Sequence, residues 1–214
     1  MICFLHGFLG SPEDWEGVKK SFNFPSRSLL LPGHKNRPFN LSAFEEEIGS
    51  DVTLIGYSLG GRLAMHYALK YPKRVKQLIL LSTNPGEEGE GRLREDERWA
   101  RILETKGMDA FLKAWYQQPM FNHFQIDRTH SGHHPLILAK VIREWSPARL
   151  ENLWPRLSDF KCPLTFIFGE KDHKYLAIGR TLEKSFPVKW IPDAGHALHL
   201  ENPTLCRKHL MEVI

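Results

Sequence analysis

No apolar run in the chain comes near the roughly 20 consecutive residues that a membrane-spanning helix needs. The opening MICFLHGF also lacks a basic leader segment and a small-residue cleavage site. No membrane association is expected, and the chain reads as cytoplasmic. Cysteine is scarce: Cys3, Cys162 and Cys206 are odd in number and far apart, which fits neither a disulfide framework nor a zinc site. They read as buried or bystander thiols. There is no internal repeat, and no low-complexity tract beyond the brief GEEGEG from Gly86 to Gly91. A concentrated basic patch is missing too. The net charge of +4 is spread along the chain, and YPKRVK (Tyr71 to Lys76) reads as a solvated loop entering a strand, not a nucleic-acid contact. The small excess suits an anionic small molecule.

What remains is one ordinary domain: 214 residues, 42% of them hydrophobic, are enough for a real core. Short apolar runs alternate with helical patterns. ICFLHG precedes SPEDWEGVKKSF, SLLLPG precedes LSAFEEEI, and VTLIGYS precedes LGGRLAMHYALKY. After VKQLILLS come PLTFIFG with HKYLAIGRTLEKSF, then VKWIPDAG with a terminal helix from about Asn202. This alternation predicts an α/β fold, a parallel doubly wound sheet with helices on both faces. One interruption stands out. From Pro85 to Leu157 the pattern is helical and rich in Arg and Trp, far too long for a plain crossover. The expected organisation is a core of residues 1–84 and 158–214 carrying a helical cap over 85–157.

Gly56-Tyr57-Ser58-Leu59-Gly60 lies where strand must turn into helix. G-x-S-x-G at such a corner is a nucleophile elbow: the turn is so sharp that neighbouring side chains collide unless they are glycine, and it projects the hydroxyl above the sheet. The Leu59 N–H, at the helix start, then points toward a developing oxyanion. A serine hydroxyl needs an imidazole to take its proton and an acid to orient that imidazole, in the chain order Ser, Asp, His. Asp172 follows the buried run PLTFIFG, and His196 follows the last strand in PDAGHALHLENP. Glu170 and Asp193 are rival acids, and His199 is a rival base better suited to a helix face. In LHGFLGS, the loop after His6-Gly7 leaves the Phe8 N–H as the second oxyanion donor, with His6 as a prop. Ser11, Pro12 and Asp14 form the start of the next helix.

These segments resemble the α/β-hydrolase superfamily and, within it, the 2-succinyl-6-hydroxy-2,4-cyclohexadiene-1-carboxylate (SHCHC) synthases of menaquinone biosynthesis. The resemblance is carried by LHGFLGSPEDW, GYSLGGRLAM, WYQQPMF, GEKDHKY and AGHALHLENP, and spans nearly the whole chain. It implies a lyase that eliminates pyruvate from a cyclohexene carboxylate bearing succinyl and enolpyruvyl groups, without metal or organic cofactor. A substrate with several carboxylates calls for guanidinium groups, whose fork binds carboxylates bidentately. Arg62 lies four residues after Ser58, one turn along the same helix face. In the cap, GRLREDERWARIL offers Arg92, Arg94, Arg98 and Arg101. The family pattern favours Arg92, then Arg94, as substrate ligands, and Tyr57 and Trp115 as pocket wall. Two departures from the pattern concern ancillary structure: Leu30 and Lys35 stand where relatives often carry Asp and Gly in DLPGHG, and the chain opens directly on the first strand. The histidine-rich stretch from His123 to His134 has no i, i+4 pair on a clear helix, so no metal site is expected. A monomer acting on a small polyanionic carboxylate is the first reading. A serine carboxylester or acyl-CoA thioester hydrolase working through an acyl-serine is the second, and a non-catalytic binding relative the third.

Overall fold

Six strands form: β1 (Ile2–Leu5), β2 (Ser26–Leu29), β3 (Val52–Tyr57), β4 (Val75–Leu81), β5 (Leu164–Gly169) and β6 (Val188–Ile191). All but β2 lie on the expected apolar runs, whereas β2, SRSL, overlaps SLLLPG only at Ser28 and Leu29. The computed structural model describes residues 1–20, 22–121, 124, 126–128 and 131–214. The strands form one sheet in the order β2-β1-β3-β4-β5-β6, every neighbour parallel. Between them lie α1 (Glu16–Lys19), α2 (Leu41–Ile48), α3 (Leu59–Lys70), α4 (Glu90–Trp115), α5 (Pro135–Glu144), α6 (His173–Leu182), α7 (Leu198–Glu201) and α8 (Pro203–Met211). Side-chain alternation along the strands splits the core in two. Cys3 and Leu5 join one apolar cluster while Ile2 and Phe4 join the other, so both faces of the sheet are covered.

The strand order creates the crevice. The chain steps outward from β1 to β2, returns to the other side of β1 as β3, and then continues outward through β4, β5 and β6. Loops leaving the carboxyl ends of β1 and β3 therefore diverge, and ligands of open α/β sheets bind at such a reversal. Phe8 follows β1 and Ser58 follows β3.

The segment SPEDWEGVKKSF is not one helix. It forms a 3-10 turn (Pro12–Trp15) running into the single turn of α1. Gly17, a weak helix former, sits where α8 presses against it; a Cβ there would lie 3.2 Å from Pro203. Of the expected capping box, the Asp14 carboxylate supplies its half by accepting the Ser11 N–H at 3.2 Å. Lys35 takes a φ of 49°, the left-handed conformation that a glycine in the family pattern adopts freely.

Helices also fill the long interval between β4 and β5. α4 is kinked at Gly107, whose φ of 76° is open only to glycine at low cost. Trp99, Leu103 and Phe111 of α4 pack on Leu138 and Ile142 of α5 in a small core of their own. Leu9, from the loop after β1, is buried in that same cluster, which ties the α4–α5 unit to the mouth of the crevice.

Candidate active site

Ser58 holds φ 51° and ψ −110°, a strained conformation for a residue with a side chain. It persists because the surroundings over-determine it. The Ser58 N–H donates to Leu81 O at 2.9 Å, and its carbonyl accepts from the Arg62 N–H at 3.1 Å. The flanking glycines permit close approach: a Cβ on Gly60 would lie 2.4 Å from the carbonyl oxygens of both Leu5 and His6, and one on Gly56 would lie 2.6 Å from Gly61 Cα. The start of α3 thus rests directly on the end of β1.

Around this serine the structure assembles a hydrogen-bonded chain. His196 Nδ1 donates to Asp172 Oδ2 at 2.6 Å, and His196 Nε2 lies 3.3 Å from Ser58 Oγ. A carboxylate can only accept, so Nδ1 carries the proton and Nε2 presents its lone pair to the serine hydroxyl. Asp172 is fully buried, caps α6, and takes the Tyr175 N–H on its other oxygen at 3.3 Å. The His196 ring packs against Tyr175 at 4.5 Å and Tyr57 at 5.3 Å. The rivals sit elsewhere: Glu170 is exposed, and Asp193 is exposed and pairs with Lys171. His199 is buried between Tyr57 and Trp15, where burial pushes its imidazole down to about 3.

Leu59 is the first residue of α3, so its N–H has no acceptor within the helix. Phe8 follows Gly7, where a Cβ would collide with the Tyr57 ring at 2.6 Å. His6 props this loop: its Nδ1 donates to Gly7 O at 2.7 Å, and its Nε2 accepts the Leu31 N–H at 2.9 Å. Both bonds need the neutral ring, and burial holds its pKa down to about 3.

A cavity of about 280 Å³ opens above Ser58. Phe8, Tyr57, Ser58, Leu59, Arg62, Arg92, Trp115 and His196 all line it, so the structure brings together most of the residues expected from the sequence. Arg62 is 9% exposed, its Nη2 donates to Trp145 O at 3.3 Å, and its Nε has no partner among the described residues. Burial lowers its pKa to about 10, which leaves it charged at neutral pH. Arg92 differs. It is gripped by Asp96, with Nε 3.0 Å from each carboxylate oxygen, and lies 3.5 Å from Glu87. Arg94 does not reach the cavity: its side chain is 73% exposed, pairs with Glu90, and lies with Arg98 and Arg101 along the outer groove of α4. Among the described residues no group of His, Cys, Asp and Glu is placed to hold a metal ion; His123 and His130 lie outside them.

The chain matches the alpha/beta hydrolase family from residue 4 to residue 208. It belongs to the α/β-hydrolase family. Among named relatives, the SHCHC synthase of Enterobacter sp. (strain 638) is 30% identical, with 100% of this chain and 91% of that protein covered. The SHCHC synthase of Escherichia coli O1:K1 / APEC is 31% identical over 94% of this chain and 88% of that protein. The solved structure of MenH from S. aureus superposes with a TM-score of 0.87 at 27% identity, covering 99% of this chain and 91% of that one. A thermophilic esterase from Thermogutta terrifontis shares the fold, with a TM-score of 0.79 at 20% identity over 99% of this chain and 88% of that one.

The sequence left several wall residues of this α/β-hydrolase enzyme unnoticed. Lys174 and Tyr175 lie just past Asp172 and line the cavity with Gln118 and Trp145. A helix capped by Asp172 necessarily aims the Tyr175 N–H at the cap, so that contact had a readable signal. Trp145 had none, because it arrives from the far end of α5.

Proposed function

We propose that the protein is a lyase of menaquinone biosynthesis that eliminates pyruvate from a succinyl-enolpyruvyl-cyclohexene carboxylate to give SHCHC. The observation that carries this reading is Arg62: a buried guanidinium whose Nε has no partner among the described residues, in the cavity that also holds Ser58 and His196. A neutral-ester hydrolase has no use for a fixed cation facing its nucleophile, whereas a multiply carboxylated substrate does. The names of the relatives point the same way.

In this mechanism Asp172 holds the imidazole, His196 takes the Ser58 proton, and the Ser58 oxygen removes a ring proton. The electron pair released from that C–H bond forms a new ring double bond as the C–O bond to the enolpyruvyl group breaks. The enolate of pyruvate leaves and takes up the proton held by His196 to become pyruvate, which restores the neutral imidazole and the Ser58 hydroxyl. The Phe8 and Leu59 amides stabilise the enolate-like charge that develops meanwhile. No acyl-enzyme forms. Purified protein should release pyruvate from the succinyl-enolpyruvyl substrate, followed by lactate dehydrogenase coupling. A rate no higher than that of Ser58→Ala removes the lyase assignment. Turnover of one p-nitrophenyl or acyl-CoA ester without pyruvate chemistry would establish the acyl-serine hydrolase in its place.

A further inference from the structure

We infer that Glu201 is a positioning residue for His196, a role that rests on the base function proposed for His196. The carboxylate bridges the two amides that flank the histidine. Its Oε2 accepts the Gly195 N–H at 2.6 Å and its Oε1 accepts the Ala197 N–H at 2.9 Å. Glu201 closes α7, and its own N–H donates back to Ala197 O at 3.0 Å, so residues 197 and 201 are tied in both directions. Ser82, fully buried at the end of β4, donates its hydroxyl to His196 O at 2.8 Å. The Gly195 N–H and both polar groups of the peptide that follows His196 are therefore held, and the ring that leaves this loop reaches Asp172 and Ser58 together.

Before Gly195 the loop is held by the Glu170 and Lys171 N–H groups, which donate to Ile191 O at 3.0 Å and Ala194 O at 2.9 Å; at Gly195 and Ala197 the N–H groups turn to Glu201. Gly195 contributes no side chain, and His196 follows a turn in which Asp193 takes a left-handed φ of 60°. Fixing the ring by contacts alone would leave the backbone free to pivot, and the Nε2 to Oγ distance is already 3.3 Å. A charged acceptor on two amides is about twice as strong as a neutral one and has a defined direction. Space is also filled: a Cβ on Gly195 would stand 3.2 Å from both Glu201 oxygens. Glu201 does not line the cavity, which separates positioning from catalysis.

Glu201→Gln tests this. The amide oxygen still accepts one N–H, but its NH2 faces the other. Three measurements are made at a temperature where circular dichroism shows both proteins folded. Pyruvate release should lose at least 10-fold in kcat with KM changed by less than 3-fold. Labelling of Ser58 by a fluorophosphonate, in which Oγ bonds to phosphorus, fluoride leaves and the proton passes to His196, should slow by a similar factor. The downfield proton resonance of His196 Nδ1–H should broaden through exchange with solvent. Glu201→Asp, which keeps the charge but shortens the reach, should fall between the two, and decides the matter if the Gln variant does not fold. Wild-type labelling rates and an unchanged Nδ1–H signal in a folded variant would overturn the inference. A residue that only props the fold would lower Tm and leave both untouched. If the parent releases no pyruvate, the lyase reading fails while labelling and resonance still decide the role of Glu201.

Discussion

Arg62 differs from the other cavity cations in what it lacks. Arg92 has its charge answered by Asp96, and Lys174 lies 3.6 Å from Glu87, but among the described residues the only hydrogen bond of the Arg62 side chain runs to a backbone carbonyl. A substrate carboxylate is the partner that would complete it. Arg62→Ala should lose about 2–4 kcal/mol of transition-state stabilisation on the polyanionic substrate, roughly 30- to 1,000-fold in kcat/KM. Arg62→Lys should recover only part of that, because a point charge does not reproduce the fork. A neutral p-nitrophenyl ester, if turned over by the parent, should be turned over equally by the mutants. Equal losses on both substrates would make Arg62 a support of α3 and remove the main argument for a carboxylated substrate.

At the level of elements, the contact between α3 and β1 decides whether the elbow and the Phe8 loop face each other. Gly60 is the point of closest approach, and the atoms it would strike are backbone oxygens, which cannot swing aside as a flexible side chain can. Gly60→Ala should therefore destabilise the fold by about 1–3 kcal/mol, the usual range for overpacking. It should also lower the rate of Ser58 labelling, since α3 must shift away from the loop that bears Phe8. Urea denaturation and fluorophosphonate kinetics check the two effects separately. An alanine variant with wild-type stability and labelling would mean that α3 and β1 have more slack than their spacing indicates.

Across the described residues of the molecule, His6, His34 and His199 are imidazoles with no exposure at all, held without charge. Burial drives His6 and His199 down to about 3 and His34 well below its ordinary value. A histidine whose folded pKa lies below its unfolded value of about 6.5 takes up a proton only on unfolding, so stability is present above that value and is lost as pH falls below it. Each such group removes about 1.4 kcal/mol per pH unit, so His6 and His199 together should cost roughly 4 kcal/mol between pH 7 and pH 5. The lowered carboxylates Glu13, Glu97 and Glu212, each near 2, lose their contribution only below their unfolded values of about 4.5 and lie outside this window. Urea unfolding at pH 7 and pH 5 measures the difference. A fall below 1 kcal/mol would mean that these rings take up protons in the folded state.

Much of this protein was legible in its sequence because the signals are local. Five apolar runs of strand length became strands, the sixth, SLLLPG, shares only Ser28 and Leu29 with β2, and glycines around Ser58 specified a tight turn. Asp172 and His196 could be named because each follows a strand whose carboxyl end must face the same crevice. Packing decided the rest. The period of α4 places Arg92 and Arg94 about 200° apart, so only one of them can face the cavity, but periodicity does not say which. That choice was made by Trp99, Leu103 and Phe111 settling on α5, which turned Arg92 inward to Asp96 and left Arg94 in solvent. Glu201 was hidden for the same reason: its partners are backbone amides, and a sequence records side chains while the direction of an N–H exists only once the chain has folded.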